Sequence, residues 1–393
     1  MLQQLINRSP DLKRLRDEGY EIEVRNGYLI VKHIPYLDNK LTVNYGQLIS
    51  SLTLYNDRTA RPDSHVVFFS GSQPCDSMGQ PITAIMHSSQ RQDLGGIIVD
   101  HSLSNKPIGG YNDYYEKITV YAAIISAPAK AVDYQVTEKT FRVIHDTEND
   151  SVFQYIDTNS SRSNFNAINT KLQKYHVGIV GLGGTGSYIL DLVAKTPVAN
   201  IKLFDGDVLL QHNAFRSPGA ATAAQLDQKL NKAVYFAKIY SAMHKHIQAV
   251  PDFVTPENLQ ALDNLSFVFI AVDNNRVRKL ATDYLLQKKI PFIDVGLGVE
   301  MVDDKLLGTL RVTAGTPEKN DHLLVRIPTE DQGDNLYSTN IQIADLNALN
   351  AALAVVKWKK MAAFYQDLEE EHHSAYSINI SKIFNEDSPS SIR

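Results

Sequence analysis

Apolar and polar positions alternate along this chain in two different rhythms. Over residues 21–135, short apolar runs stand between turn clusters: Glu21-Ile22-Glu23-Val24, Tyr28-Leu29-Ile30-Val31, His65-Val66-Val67-Phe68-Phe69, Ile97-Ile98-Val99 and the stretch 118–125. Breakers such as Gly71-Ser72-Gln73-Pro74 separate them, so each run is expected as a strand. A short charged helix is expected over 1–20. From residue 165 the rhythm changes. Strand patterns at 176–180, 201–204, 267–272 and 291–295 alternate with helical patterns at 187–195, 232–244 and 277–287. This predicts an α/β domain whose parallel sheet is covered on both faces. Antiparallel strands are expected at 306–312 and 323–327. A long helix over 344–364 should carry Leu346, Leu349, Leu353 and Val356 on one face. The division is a strand-rich domain over 1–150, a Ser/Asn/Thr-rich link at 157–164, a doubly wound domain over 160–365 and a polar, loosely held tail over 366–393.

Bulk composition narrows the class. The 393 residues suffice for two or three cores, and 43% hydrophobic with 21% charged residues is ordinary for a globular protein. A net charge of -5 argues against a nucleic-acid binder with a basic face. The single cysteine, Cys75, rules out a disulfide framework and a four-thiolate zinc site, and suits a reducing cytoplasm. The first residues lack the pattern of a signal peptide, and no apolar run reaches the roughly 20 residues of a membrane span.

The chemistry concentrates after the strand at 176–180. Gly181-Leu182-Gly183-Gly184-Thr185-Gly186 stands between a strand and a helix, where glycines let backbone approach a phosphate or ribose and the helix start favours anions. Asp205 comes about twenty residues on, where a carboxylate takes ribose hydroxyls. A redox dinucleotide site fits equally well to this point. The next polar residues favour a nucleoside triphosphate attacked at its α-phosphorus. Asn213, Arg216 and either Lys229 or Lys232 supply three donors for several negative charges. Asp273-Asn274 ends the next strand in the same crevice. Asp273 has the oxygen chemistry for Mg²⁺, with a helix cap as the plainer reading.

Gly181 to Gly186, Asp205 and Asp207, Asn213 and Arg216, Lys232, and Asp273, Asn274 and Arg278 together resemble the ThiF/MoeB/ubiquitin-activating superfamily of ATP-dependent adenylyltransferases. The resemblance covers residues 160–365 and implies a Rossmann-like fold. It further implies that Asp205 binds the ribose and that Asn213 and Arg216 bind the phosphates. Lys232 or Lys229 would meet the α-phosphate, and Asp273 would hold Mg²⁺. Arg162 stands where relatives carry an arginine that reaches the triphosphate, often from the second subunit of a homodimer. The implied reaction adenylates the C-terminal glycine of a ubiquitin-like protein, for transfer to a conjugating enzyme. The alternatives are a sulfur-carrier protein, a tRNA-linked carboxylate or a peptide as acyl donor, or a non-catalytic scaffold partner.

The chain also departs from that family. It lacks the zinc cysteines of many relatives, and where they carry a nucleophilic cysteine it has Ser338 and Thr339. An acyl group could therefore pass directly to an acceptor, to Ser338 or Thr339, or to Cys75, which comes after Pro74 in a turn and is expected to be exposed. The N-terminal region resembles an uncharacterised domain fused to bacterial ThiF-type domains. The setting implied is a bacterial ubiquitin-like conjugation operon with a conjugating enzyme and a metalloprotease. His65, His87, His101 and Asp100 match no usual metal-ligand spacing, and His372-His373 is expected to be solvated.

Overall fold

The computed structural model describes residues 2–144, 151–163, 165–329 and 341–388. They belong to two units, Met1–Ile144 and His145–Arg393. In the first, helices α1 (Leu2–Arg8) and α2 (Pro10–Asp17) precede an antiparallel sheet. Its strands are β1 (Glu21–Arg25), β2 (Tyr28–Leu37), β3 (Val43–Ser51), β4 (Val66–Ser70), β5 (Met86–Ser88) and β6 (His101–Ser104), in the order β1-β2-β3-β4-β6-β5. The stretch 118–125, expected as a strand, is instead the centre of helix α3 (Tyr114–Val132). The Asp113 side chain caps it by accepting from the Glu116 amide at 2.8 Å. Ile118, Tyr121, Ala122, Ile125 and Ala129 recur at helical spacing and are buried. β-branched residues in a short window disguised that period. Lys117, on the same face, is fully buried and donates to Ser50 Oγ and Ser64 O at 2.8 Å each. Burial pushes its ammonium down to about 8.

The expected exposure of Cys75 is corrected. Its amide donates to Leu37 O at 2.8 Å, which draws the turn against the sheet and leaves the residue 1% exposed. Burial raises the thiol pKa, so the nucleophilic thiolate is disfavoured. His65, His87 and His101 each hydrogen-bond a serine hydroxyl, on Ser104, Ser102 and Ser89. Among the described residues no group of histidine, cysteine and carboxylates is arranged to hold a metal.

The second unit carries an eight-stranded sheet: β7 (His176–Val180), β8 (Asn200–Phe204), β9 (Ile247–Val250), β10 (Phe267–Ile270), β11 (Phe292–Val302), β12 (Lys305–Gly315), β13 (His373–Ser377) and β14 (Lys382–Glu386). The order is β9-β8-β7-β10-β11-β12-β13-β14. The first five strands are mutually parallel, and the rest pair antiparallel. One face buries α5 (Gly184–Val193), α6 (Lys232–Tyr240) and α8 (Ala344–Met361), and the other buries α7 (Asn275–Gln287), while α4 (Thr158–Arg162) precedes the sheet. This is the Rossmann-like, doubly wound arrangement. The chain runs outward in opposite senses from β7 and β10, so a crevice opens between their carboxyl ends.

Four expectations change here. Residues 323–326 form a short helix, not a strand. The region expected as a loosely held tail carries two strands, because β13 pairs with β12 and β14 pairs with β13. His373 is therefore buried, with Nδ1 3.0 Å from Thr313 Oγ1. The inward face of α8 carries Asn347, Asn350, Ala351, Ala354 and Trp358; of the expected apolar face Leu346 is buried and Leu353 half-buried, while Leu349 and Val356 are 37% and 43% exposed. Among the described residues no helix is long and apolar enough to cross a membrane.

Trp358 is fully buried against the rings of Tyr175, Phe267 and Phe269, at centroid distances of 5.6, 6.2 and 6.0 Å. Trp358→Ala is expected to destabilise the unit by about 3–5 kcal/mol. Urea titration followed by far-UV circular dichroism checks this without relying on the lost indole. A pH dependence arises from His244 and His373, both pushed down to about 4 by burial. Unfolded histidine titrates near 6.5, so the unfolded state binds more protons between about pH 6.5 and 4. Stability from these groups is full above about pH 6.5 and lost as pH falls toward about 4. His373→Gln should flatten the urea midpoint across that window; an unchanged slope would refute the assignment.

Candidate active site

The site begins where β7 ends. Gly181 turns the chain with φ of +88°, a conformation few side-chain-bearing residues adopt. A Cβ there would stand 2.6 Å from Ala271 O, beyond the end of β10. At Gly186 a Cβ would overlap the Gly181 carbonyl, and at Gly184 it would overlap the Asn347 side chain. These three glycines serve close packing. Gly183 differs, because nothing lies within 4 Å of a Cβ built on it. Its backbone faces the open crevice at the N-terminus of α5, where amides and helix dipole favour an anion.

The crevice is a cavity of about 740 Å³. The glycine loop, Asp205, Asp207, Arg216, Lys232, Asp273, Asn274 and Arg278 all line it. Asp205 is 8% exposed and accepts from the Leu182 amide at 2.6 Å and the Asp207 amide at 2.8 Å. It thereby ties the end of β8 to the glycine loop. Burial raises its carboxyl pKa, partly offset by the Lys232 charge and the two amides. The Lys232 ammonium reaches Asp207 Oδ2 at 2.8 Å, and the Lys232 amide donates to Asp207 O at the same distance. Of the two lysines weighed, Lys232 lines the cavity; Lys229 is exposed, at φ of +48°, and does not.

Arg216 lines the cavity with its Nε buried and without a hydrogen-bond partner. A buried donor in that state is costly unless an acceptor arrives. Asn213 is 3% exposed, and its Oδ1 accepts from the Leu210 amide at 2.8 Å, which folds the short helix ahead of Arg216. It is not among the cavity-lining residues, and neither is Arg162, which is exposed at the end of α4. Asp273 is exposed to the cavity, and Asn274 caps α7 through the Arg276 and Val277 amides at 2.9 and 3.1 Å. The capping role weighed for Asp273 thus falls to its neighbour. Ser338 and Thr339 lie outside the described residues, and Cys75 belongs to the other unit.

Four residues escaped the sequence reading. Asn347 Oδ1 accepts from Thr185 Oγ1 at 2.9 Å, and Asn350 donates to Gly296 O at 3.0 Å. Two asparagines three apart in the otherwise apolar stretch 346–356 of α8 were the available signal. Arg311, on β12, lines the cavity with Arg278, and the buried Asp294 on β11 accepts from both. Arg278 also bonds Val272 O and Asn275 Oδ1, which anchors α7 to the end of β10. Gly184→Ala is expected to cost about 1–3 kcal/mol through overpacking against Asn347. Gly184→Ala combined with Asn347→Ala should recover part of that loss, a non-additivity that a double-mutant cycle in urea measures.

Comparison with known proteins adds lineage to this geometry. Residues 10–158 match a family described as "Domain of unknown function (DUF6791)". Over 125 residues the chain is 30% identical to the tRNA threonylcarbamoyladenosine dehydratase of Escherichia coli, covering 31% of this chain and 46% of that protein. The enzyme of the same name from Haemophilus influenzae is 23% identical over 128 residues, covering 32% of this chain and 49% of that protein. The chain thus spans about half the length of the curated relatives it matches. Similar solved structures include E. coli MccB with succinimide, at a TM-score of 0.48 and 16% identity over 60% of this chain and 74% of that one. Another is the E. coli tRNA N6-threonylcarbamoyladenosine dehydratase, at 0.41 and 20% identity over 52% of this chain and 92% of that one. The ThiF family model matches residues 159–360, half of the chain and the whole span from α4 to α8 that builds the crevice. The protein belongs to the ThiF family.

Proposed function

We propose that the protein adenylates a carboxylate with ATP, and that the carboxylate is the C-terminal glycine of a ubiquitin-like protein. ThiF-family members are ATP-dependent adenylyltransferases. The observation that carries the reading to this chain is the convergence of Arg216 and Lys232 on the cavity that holds the glycine loop, with Arg216 Nε awaiting an acceptor. In the reaction a carboxylate oxygen bonds to the α-phosphorus as the bond from that phosphorus to the pyrophosphate oxygen breaks. The products are an acyl-adenylate and pyrophosphate. The chain's own part is positioning and charge neutralisation. Asp205 receives the ribose, the Gly183 backbone and Arg216 hold the phosphates, and Lys232 meets the α-phosphate on leaving Asp207. Asp273 would hold Mg²⁺ jointly with the phosphates, since Mg²⁺ is commonly bound by one or two carboxylates plus substrate oxygens. Bound there, the ion would neutralise charge on the leaving group.

A homodimer is part of this proposal, supported by the exposed Leu349 and Val356 on α8. So are a conjugating enzyme as acceptor and a cytoplasmic setting that keeps Cys75 reduced. Burial of that thiol supports direct transfer of the acyl group over a thioester at Cys75. A second reading, in which the carboxylate is carried on tRNA, is favoured by the match to the E. coli tRNA enzyme.

Exchange of labelled pyrophosphate into ATP tests the proposal. Co-purified small proteins and total tRNA, supplied separately as acyl donors, distinguish the two readings. Arg216→Ala should lower exchange by about 10²–10³-fold, and Asp273→Ala should abolish Mg²⁺-dependent exchange without loss of fold. Full exchange in both variants would contradict the assignment.

A further inference from the structure

The sheet side of the cavity holds a second group of cations. Asp294 is fully buried on β11 and accepts from two arginines, Arg278 Nε at 2.9 Å and Arg311 Nη2 at 2.5 Å. Two guanidinium groups share one carboxylate, so the cluster carries one excess positive charge. The two arginines are not equivalent. Arg278 donates to Asp294, Asn275 Oδ1 and Val272 O and is spent on the fold. Arg311 donates to Asp294 and to Thr313 Oγ1 at 3.0 Å, which uses two of its five N–H groups. Its side chain keeps 16% exposure, and it lines the cavity.

The strand beneath Arg311 is shaped for it. Gly296 pairs with Arg311 across β11 and β12. A Cβ at Gly296 would stand 2.8 Å from Nη2 and 2.9 Å from Nε, so the guanidinium rests on bare backbone. Asn350 holds that strand from α8 through the Gly296 carbonyl. Further along β11, Gly298 also lines the cavity and has open space where a Cβ would be. The cavity therefore has cations on two walls: Arg216 and Lys232 on the side of the glycine loop, and Arg311 on β12.

Adenylation brings two anions together, the α-phosphate and the incoming carboxylate. Cations on one wall alone would favour the nucleotide and leave the second anion repelled. We propose that Arg311 binds the carboxylate of the acyl donor, with Asp294 and Arg278 as positioning residues that fix its guanidinium. This rests on the adenylation reading and assigns it a substrate-binding residue.

Isothermal titration with three ligands tests this on the full chain. ATP reports the nucleotide site. 5′-O-sulfamoyladenosine and its N-glycyl derivative differ by the acyl group alone, and the derivative sets a carbonyl and a negative charge where the carboxylate would react. Arg311→Leu should weaken the glycyl derivative by about 10- to 100-fold, the loss of one charge-assisted hydrogen bond. It should leave ATP and unacylated sulfamoyladenosine unchanged. Arg311→Lys should fall between. Gly296→Ala, which keeps the charge but displaces the guanidinium, should weaken the glycyl derivative selectively and serves if Arg311→Leu fails to fold. Equal affinities of wild type and these variants for the glycyl derivative, with ATP still bound, would overturn the role of Arg311. Failure of the wild type to bind ATP or either analogue would instead overturn the adenylation reading.

Discussion

The second unit depends on one close approach of bare backbone. At the switch point between β7 and β10, the Gly181 carbonyl occupies the space a side chain at Gly186 would need, and Gly181 itself lies against Ala271 O. Only this absence of side chains lets α5 start directly above the end of β7 and direct its first amides into the crevice. The arrangement then spreads outward. Asp205 reaches from β8 to the Leu182 amide, and Lys232 reaches from α6 back to Asp207. The groups that would meet an anion are thus held by the contacts that hold the loop, as a site needing little reorganisation requires.

Helix α8 closes the arrangement from above. Its buried face carries amides where an apolar helix would carry leucine. Asn347 touches the glycine loop through Thr185 and Gly184, and Asn350 touches β11 through Gly296. Buried amides cost free energy unless bonded; the bonds these two make go to the two walls of one cavity, while Asn350 Oδ1 is buried without a partner. The helix therefore sets the distance between the glycine loop and the strand that carries Asp294.

How much of this could be read from the residues varied with the kind of signal. The α/β rhythm of 176–295 was plain, because buried parallel strands are continuous apolar runs bounded by breakers. That the glycine loop, Asp205, Arg216, Lys232 and Asp273 line one cavity was legible because they follow the carboxyl ends of β7, β8 and β10 in the sequence. Helix α3 was missed because β-branched residues overlay a helical period, and tertiary packing decided between the two. The buried Cys75 and His373 were missed because exposure there depends on strand pairing with Leu37 and Thr313, distant in the chain. Arg311 was illegible for the same reason. Its meaning comes from Asp294 and Gly296 on the neighbouring strand, and nothing in its own flanking residues announces a site. Only part of the expected apolar face of α8 is buried, because the helix turns Asn347, Asn350 and Trp358 inward and leaves Leu349 and Val356 outside.

The central claim is that a nucleoside triphosphate enters the switch-point crevice with its phosphates on the Gly183 backbone and Arg216. A crystal structure of the protein with the non-hydrolysable analogue α,β-methylene-ATP tests it most directly. The account predicts the ribose at Asp205, a phosphate oxygen within hydrogen-bond distance of Arg216 Nε, and the α-phosphorus facing Lys232. An analogue bound outside this crevice, or bound within it with Arg216 Nε still lacking an acceptor, would contradict the account.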